Sequence, residues 1–161
     1  MAAMPRDANP DDERMLDEFG AALADAVEAA LPGWVVRCVE QRAVAWAGSI
    51  DPKVTEAAHA AGERARAEVG AQVRALLALD IDAQRTNPLS IVRGAVRYPT
   101  EILRAAGVPP VRRDEFAERA FPDDIYDLSP ASFADVDQSL HEPGLVWGAA
   151  KAHIHLTRHR T

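Results

Sequence analysis

The chain is poor in several things, and each shortage excludes something. Its 161 residues include one cysteine, Cys38, which rules out an intrachain disulfide and any multi-cysteine zinc site. Lysine occurs twice, at Lys53 and Lys151, and aromatic residues make up 6% of the chain. No window approaches the roughly 18 uninterrupted apolar residues that a membrane-spanning helix needs. The opening residues lack an apolar core and run into Asp11-Asp12-Glu13, so no secretory signal is expected. There is no phosphate-binding glycine loop, no G-x-S-x-G and no dinucleotide fingerprint. These gaps point to a cytoplasmic protein of the bacterial type, with no membrane partner and no indicated cofactor.

What is present fits one globular domain. Apolar residues reach 48% and charged residues 27%, enough to build a core at this length. The formal charge of −7 argues against general affinity for nucleic acid or anionic lipid. Charge is unevenly placed: residues 1–31 carry eight acids and two arginines, whereas 85–121 carry seven arginines and four acids. An anion-seeking surface is therefore expected within 85–121. Sixteen arginines and abundant alanine also match the codon bias of a GC-rich genome, so a lone arginine means little.

Apolar residues recur with helical spacing over most of the chain. Residues 1–10 are expected to be disordered, with a single helical domain over 11–161. Asp11-Asp12-Glu13 suits a helix N-terminus, and Leu16, Phe19, Leu23, Val27 and Leu31 follow, with Pro32-Gly33 as the expected stop. Residues 34–47 read as a second helix, although Trp34-Val-Val-Arg-Cys-Val39 would also suit a strand. Asp51-Pro52 caps a long alanine-rich helix reaching about residue 79, with Gly62 and Gly70 as places for a bend. Asn87-Pro88 opens another helix, interrupted at Tyr98-Pro99; a short one follows to Gly107, and another spans Arg113 to Phe121. Ser129-Pro130 suggests one or two turns within an irregular last third. Residues 145–158 form the terminal helix, with Leu145, Gly148, Ala149, Ala152 and Leu156 on or near one face. The expected fold is all-α, a bundle of five to seven helices.

Three constellations could carry chemistry. Arg93, Arg97 and Arg104 are spaced to share a helix face, with Arg85 just upstream; guanidinium groups so arranged suit phosphate or carboxylate. The competing reading is a solvated face paired with the protein's own acidic first helix. His155 and His159 are spaced i, i+4, as in many zinc sites, but lack an adjacent glutamate. Asp123, Asp124 and Asp127 could hold a hard cation, or simply cap turns. Cys38 reads as a buried small hydrophobe, and Trp34, Trp46 and Trp147 as core or interface anchors. No catalytic residue stands out.

The composition favours a non-catalytic interaction or regulatory protein that self-associates, with the long alanine-lined helix as a dimer seam. The alternative is an enzyme or binder of an anionic small molecule, or a protein with an acidic partner, using the arginines of 85–127. A helix-turn-helix over 88–121 is a third reading, opposed by the overall acidity.

Overall fold

Asn9 and Pro10 open the first helix: the Asn9 side chain accepts from the Asp11 amide, and proline occupies the first turn, where its missing N–H costs nothing. The computed structural model describes residues 9–111 and 124–159. From Pro10 the chain runs as one helix, α1, to Ala47. The expected stop at Pro32-Gly33 is not there. Proline inside a helix costs about 3 kcal/mol. Leu31, Trp34 and Val35 are all buried, and each contributes roughly 1.5–3 kcal/mol by leaving water. Burial on both sides of Pro32 outweighs the local penalty. The strand reading of 34–47 fails for the same reason, since Val35, Val39 and Ala43 all turn inward with helical spacing.

Gly48, at φ 76°, ends α1 with its amide bonded to Val44. Asp51 and Pro52 then start α2 (Pro52–Leu77), which packs back along α1 as the two arms of a hairpin. Helix α2 runs unbroken through Gly62 and Gly70. A Cβ at Gly62 would lie 2.9 Å from both Cα and the carbonyl oxygen of Pro32. The bare glycine therefore lets α2 close onto α1 at the proline. Ala58, Ala61, Ala65, Val69 and Val73, the face of α2 expected to form a dimer seam, are buried within the chain.

A 3₁₀ turn (Ile81–Ala83) leads to α3 (Pro88–Arg93), a 3₁₀ segment (Gly94–Val96) and α4 (Arg97–Ala105), in unbroken succession. The interruption lies at 94–96, not at Tyr98-Pro99. Pro99 falls in the first turn of α4, where the helix does not need its N–H. Gly107 (φ 76°) ends α4; its amide bonds Arg104, and that of Val108 bonds Leu103. That is the paired closure that satisfies the last carbonyls of a helix. The Arg113–Phe121 helix lies outside the described residues.

The last third returns at Asp124. Ser132, not Ser129, caps the short α5 (Phe133–Val136), where Asp135 reciprocates the cap. A 3₁₀ turn (Gln138–Leu140) precedes α6 (Pro143–His159), which lies on α1. Arg37 and Arg93 tie this segment to the bundle by donating to the carbonyls of Val136 and Pro130. Among the described residues all regular structure is helical, with six α-helices. A main core joins α1, α2, α4 and α6, and a second cluster of Val36, Val39, Ala58, Leu103, Val108 and Tyr126 closes the far end.

Candidate functional site

The four arginines of the sequence stripe go to four places. Arg85 donates to the backbone carbonyl of Asp82. Arg93 holds Pro130 at 3.1 Å. Arg97 bonds the Tyr98 hydroxyl at 2.9 Å, lies over that ring, and pairs with Glu68 of α2 at 3.6 Å. Arg104 is exposed on α4, and its charge is felt by Tyr126. The 3₁₀ segment between α3 and α4 breaks the phase relation that would have aligned Arg93 with Arg97. The acidic first helix takes other partners: Arg74 of α2 bridges Asp25 and Glu28, and Arg158 of α6 reaches Glu13. Arg74 pulls Glu28 below the ordinary carboxyl range, chiefly through the hydrogen bond between them.

In the acidic loop, Asp124 is spent on structure. Asp124 is buried, and its two oxygens accept the amides of Leu128 and Ser129 at 2.8 and 2.7 Å. Tyr126 is buried beside it and donates to Val108 at 2.6 Å. Asp127 is exposed, in the left-handed region at φ 58°. His155 faces Asp82 at 3.8 Å. Asp123 and the His159 side chain lie outside what is described. Among the described residues no three His, Cys, Asp or Glu side chains gather as metal ligands do. Cys38 is buried, and desolvation pushes its thiol up to about 12, far from the thiolate a nucleophile requires. Trp34 and Trp147 are core residues, whereas Trp46 is exposed near the end of α1. The span proposed for a helix-turn-helix runs from α3 into α4 without a turn, and its second half lies outside the described residues.

The unusual surface is on α6, which is apolar on two opposite sides. Trp147, Ala150 and Ile154 face the core. Of the stripe expected to be apolar, Gly148 is half-buried, whereas Leu145, Ala149, Ala152 and Leu156 point to solvent, with Leu145 74% and Leu156 64% exposed. At 100° per residue these four fall within about 60° of one another. Beside them Val146 joins a groove of about 640 Å³ against α1, whose walls include Phe19, Ala22, Ala26 and Pro143. The periodicity announced the stripe but not its direction, because Trp147, Ala150 and Ile154 follow an equally good helical spacing. The inner set prevails by size: its tryptophan and isoleucine leave more apolar area out of water.

Fold and surface together define an all-α protein that leaves an apolar helix face uncovered. No family model, no curated protein and no solved structure matches the chain. Among the described helices, α1 alone is long and apolar enough to cross a membrane by length and composition; half of its most apolar stretch is buried inside the protein.

Proposed function

We propose that this is a non-catalytic, cytoplasmic interaction protein that assembles as a homodimer through the outward face of α6. The carrying observation is the symmetry of the stripe. Leu145 and Leu156 lie equally far from the midpoint between Ala150 and Lys151, and so do Ala149 and Ala152. Two antiparallel copies of α6 then place Leu145 of one copy against Leu156 of the other, twice. The alanines meet at the crossing, where small side chains permit close approach. A twofold interface requires this kind of self-complementarity. A patch that matches its own reverse fits a second copy better than an unrelated partner.

Light scattering on the eluting protein tests the reading. The expected mass at high micromolar concentration is twice the 17.4 kDa of one chain. Leu156→Glu alone is expected to give monomer with unchanged helicity, because the side chain is exposed within the single chain. Adding Lys at the opposite position, as Leu145→Lys with Leu156→Glu, is expected to restore the dimer, since antiparallel pairing sets the new charges against each other. A monomeric wild type would remove the proposal. A dimer indifferent to Leu156→Glu would place the interface elsewhere and overturn it too.

A further inference from the structure

Two cations of this acidic chain share a cleft that, among the described residues, no carboxylate lines. The cleft, about 240 Å³, lies between the Gln84–Asn87 segment and the inner edge of α6, where Trp147, Gly148 and Lys151 form its wall. Arg85 donates only to the Asp82 backbone carbonyl, and Lys151 lies 5.1 Å from the centre of the Trp147 ring. Among the described residues neither meets an acid within salt-bridge distance, whereas Arg14, Arg64, Arg66, Arg74, Arg97 and Arg158 all do. Gln84, Arg85, Gly148 and Lys151 also line a larger adjoining cavity that contains Asp82, whose carboxylate is engaged by His155 at 3.8 Å and by Arg158 at 3.7 Å. Lys151 is held below the usual lysine range by burial first and by the charge of Arg85 second. The negative charge of a bound anion would offset both effects.

A second observation concerns a residue of the same cleft. Gln84, 6% exposed, lines it. Its Nε2 donates to the Leu79 carbonyl at 2.9 Å, which fixes the orientation of the amide, and its Oε1 is left with no hydrogen-bond partner. A buried acceptor without a donor is destabilising and marks a place where a ligand or water donates. The cleft is open along Gly148, where nothing lies within 4 Å of the place a Cβ would stand.

We propose that this cleft binds a small anion that also carries a hydroxyl or amine donor, a hydroxy carboxylate or a phosphate monoester, with Arg85 and Lys151 holding the anionic oxygens and Gln84 Oε1 accepting from the donor. The guanidinium fork matches either oxyanion bidentately, and the ammonium adds a point charge from the other wall. α3 has six residues and its Leu89 amide is already taken by Asn87, so the charge that attracts the ligand comes from side chains. The site goes beyond the pairing of copies and does not rest on it.

A titration of the full-length ¹⁵N-labelled chain, followed by nuclear magnetic resonance at constant ionic strength and neutral pH, tests the site. The probes are inorganic phosphate, glycolate and, as an anion without a donor, acetate. Saturable shifts of the Arg85 Nε, the Trp147 indole and the Gly148 amide are expected with phosphate, glycolate or both, and at least tenfold weaker binding with acetate. Saturation by only one of the two supports the site and selects phosphate monoester or hydroxy carboxylate. Lys151→Met is expected to weaken binding tenfold or more. Gln84→Leu should erase the preference over acetate, and Lys53→Met, on the exposed start of α2, should change nothing. Shifts that stay linear with concentration, or that are equal in Lys151→Met, would overturn the proposal.

Discussion

Glycine inside a helix is about 1 kcal/mol worse than alanine, and Gly62 shows when that cost is worth bearing. Its missing Cβ would stand 2.9 Å from two backbone atoms of Pro32, closer than a side chain can sit. Backbone cannot swing aside as the end of a lysine can, so the helices must separate. Gly62→Ala is expected to lower stability by about 1–3 kcal/mol net of the helical gain, the usual range for an overpacked core. The midpoint of urea unfolding reads this; an unchanged or raised midpoint would show that α2 yields at little cost. Cys38 and Asp124 carry the same lesson in other chemistry. Their types suggest a nucleophile and a metal ligand, and their surroundings leave one a core residue and the other a cap.

At the scale of elements, the loop before α5 hangs on one carboxylate. Asp124 closes a turn by accepting two amides, and Tyr126 anchors that turn to the end of α4 through Val108. Hydrogen bonds to a charged acceptor are worth roughly 1.5–3 kcal/mol each, and the amides would partly regain water on opening. Asp124→Ala is therefore expected to cost about 2–3 kcal/mol, and Asp124→Asn less, since one oxygen remains. The comparison is made by thermal unfolding. Equal stability of the two variants would mean that only one of the two bonds matters. Helix α1 is the opposite case, an element whose strongest local stop signal is overruled. Pro32 cannot end a helix that has Leu31 on one side and Trp34 and Val35 on the other, all buried against α2.

Across the whole molecule, the acids are arranged so that stability should fall in acid. Glu28 is held below its ordinary value by Arg74; Asp80 by the Asp82 amide and then Arg158; Asp137 by Ser139. A carboxyl lowered in the folded state binds fewer protons folded than unfolded. Its contribution is thus complete above the unfolded value and is lost as pH falls through the folded one. For these groups the loss begins near the ordinary values of 4.5 and 3.8 and continues below them. Arg74→Met should flatten this acid limb while leaving the slope above pH 6 unchanged. Unfolding curves from pH 8 to pH 3 would show it; parallel curves for variant and wild type would remove Arg74 from the account.

How much of this was legible beforehand differs by feature. The helical class, the starts at Asp51-Pro52 and Asn87-Pro88, and the stop at Gly107 are settled within a few residues of chain. Apolar pitch, a capping side chain and a left-handed glycine act locally, so the order of residues suffices to determine them. The pairing of Arg74 with Asp25 and Glu28, the cleft shared by Arg85 and Lys151, the passage through Pro32 and the choice of which apolar side of α6 turns inward are not local. Each is a competition between distant surfaces for burial or for countercharge. Spacing along the chain records that α6 has two candidate faces; only the packing of α1 against it decided that Trp147 goes in and Leu145 stays out.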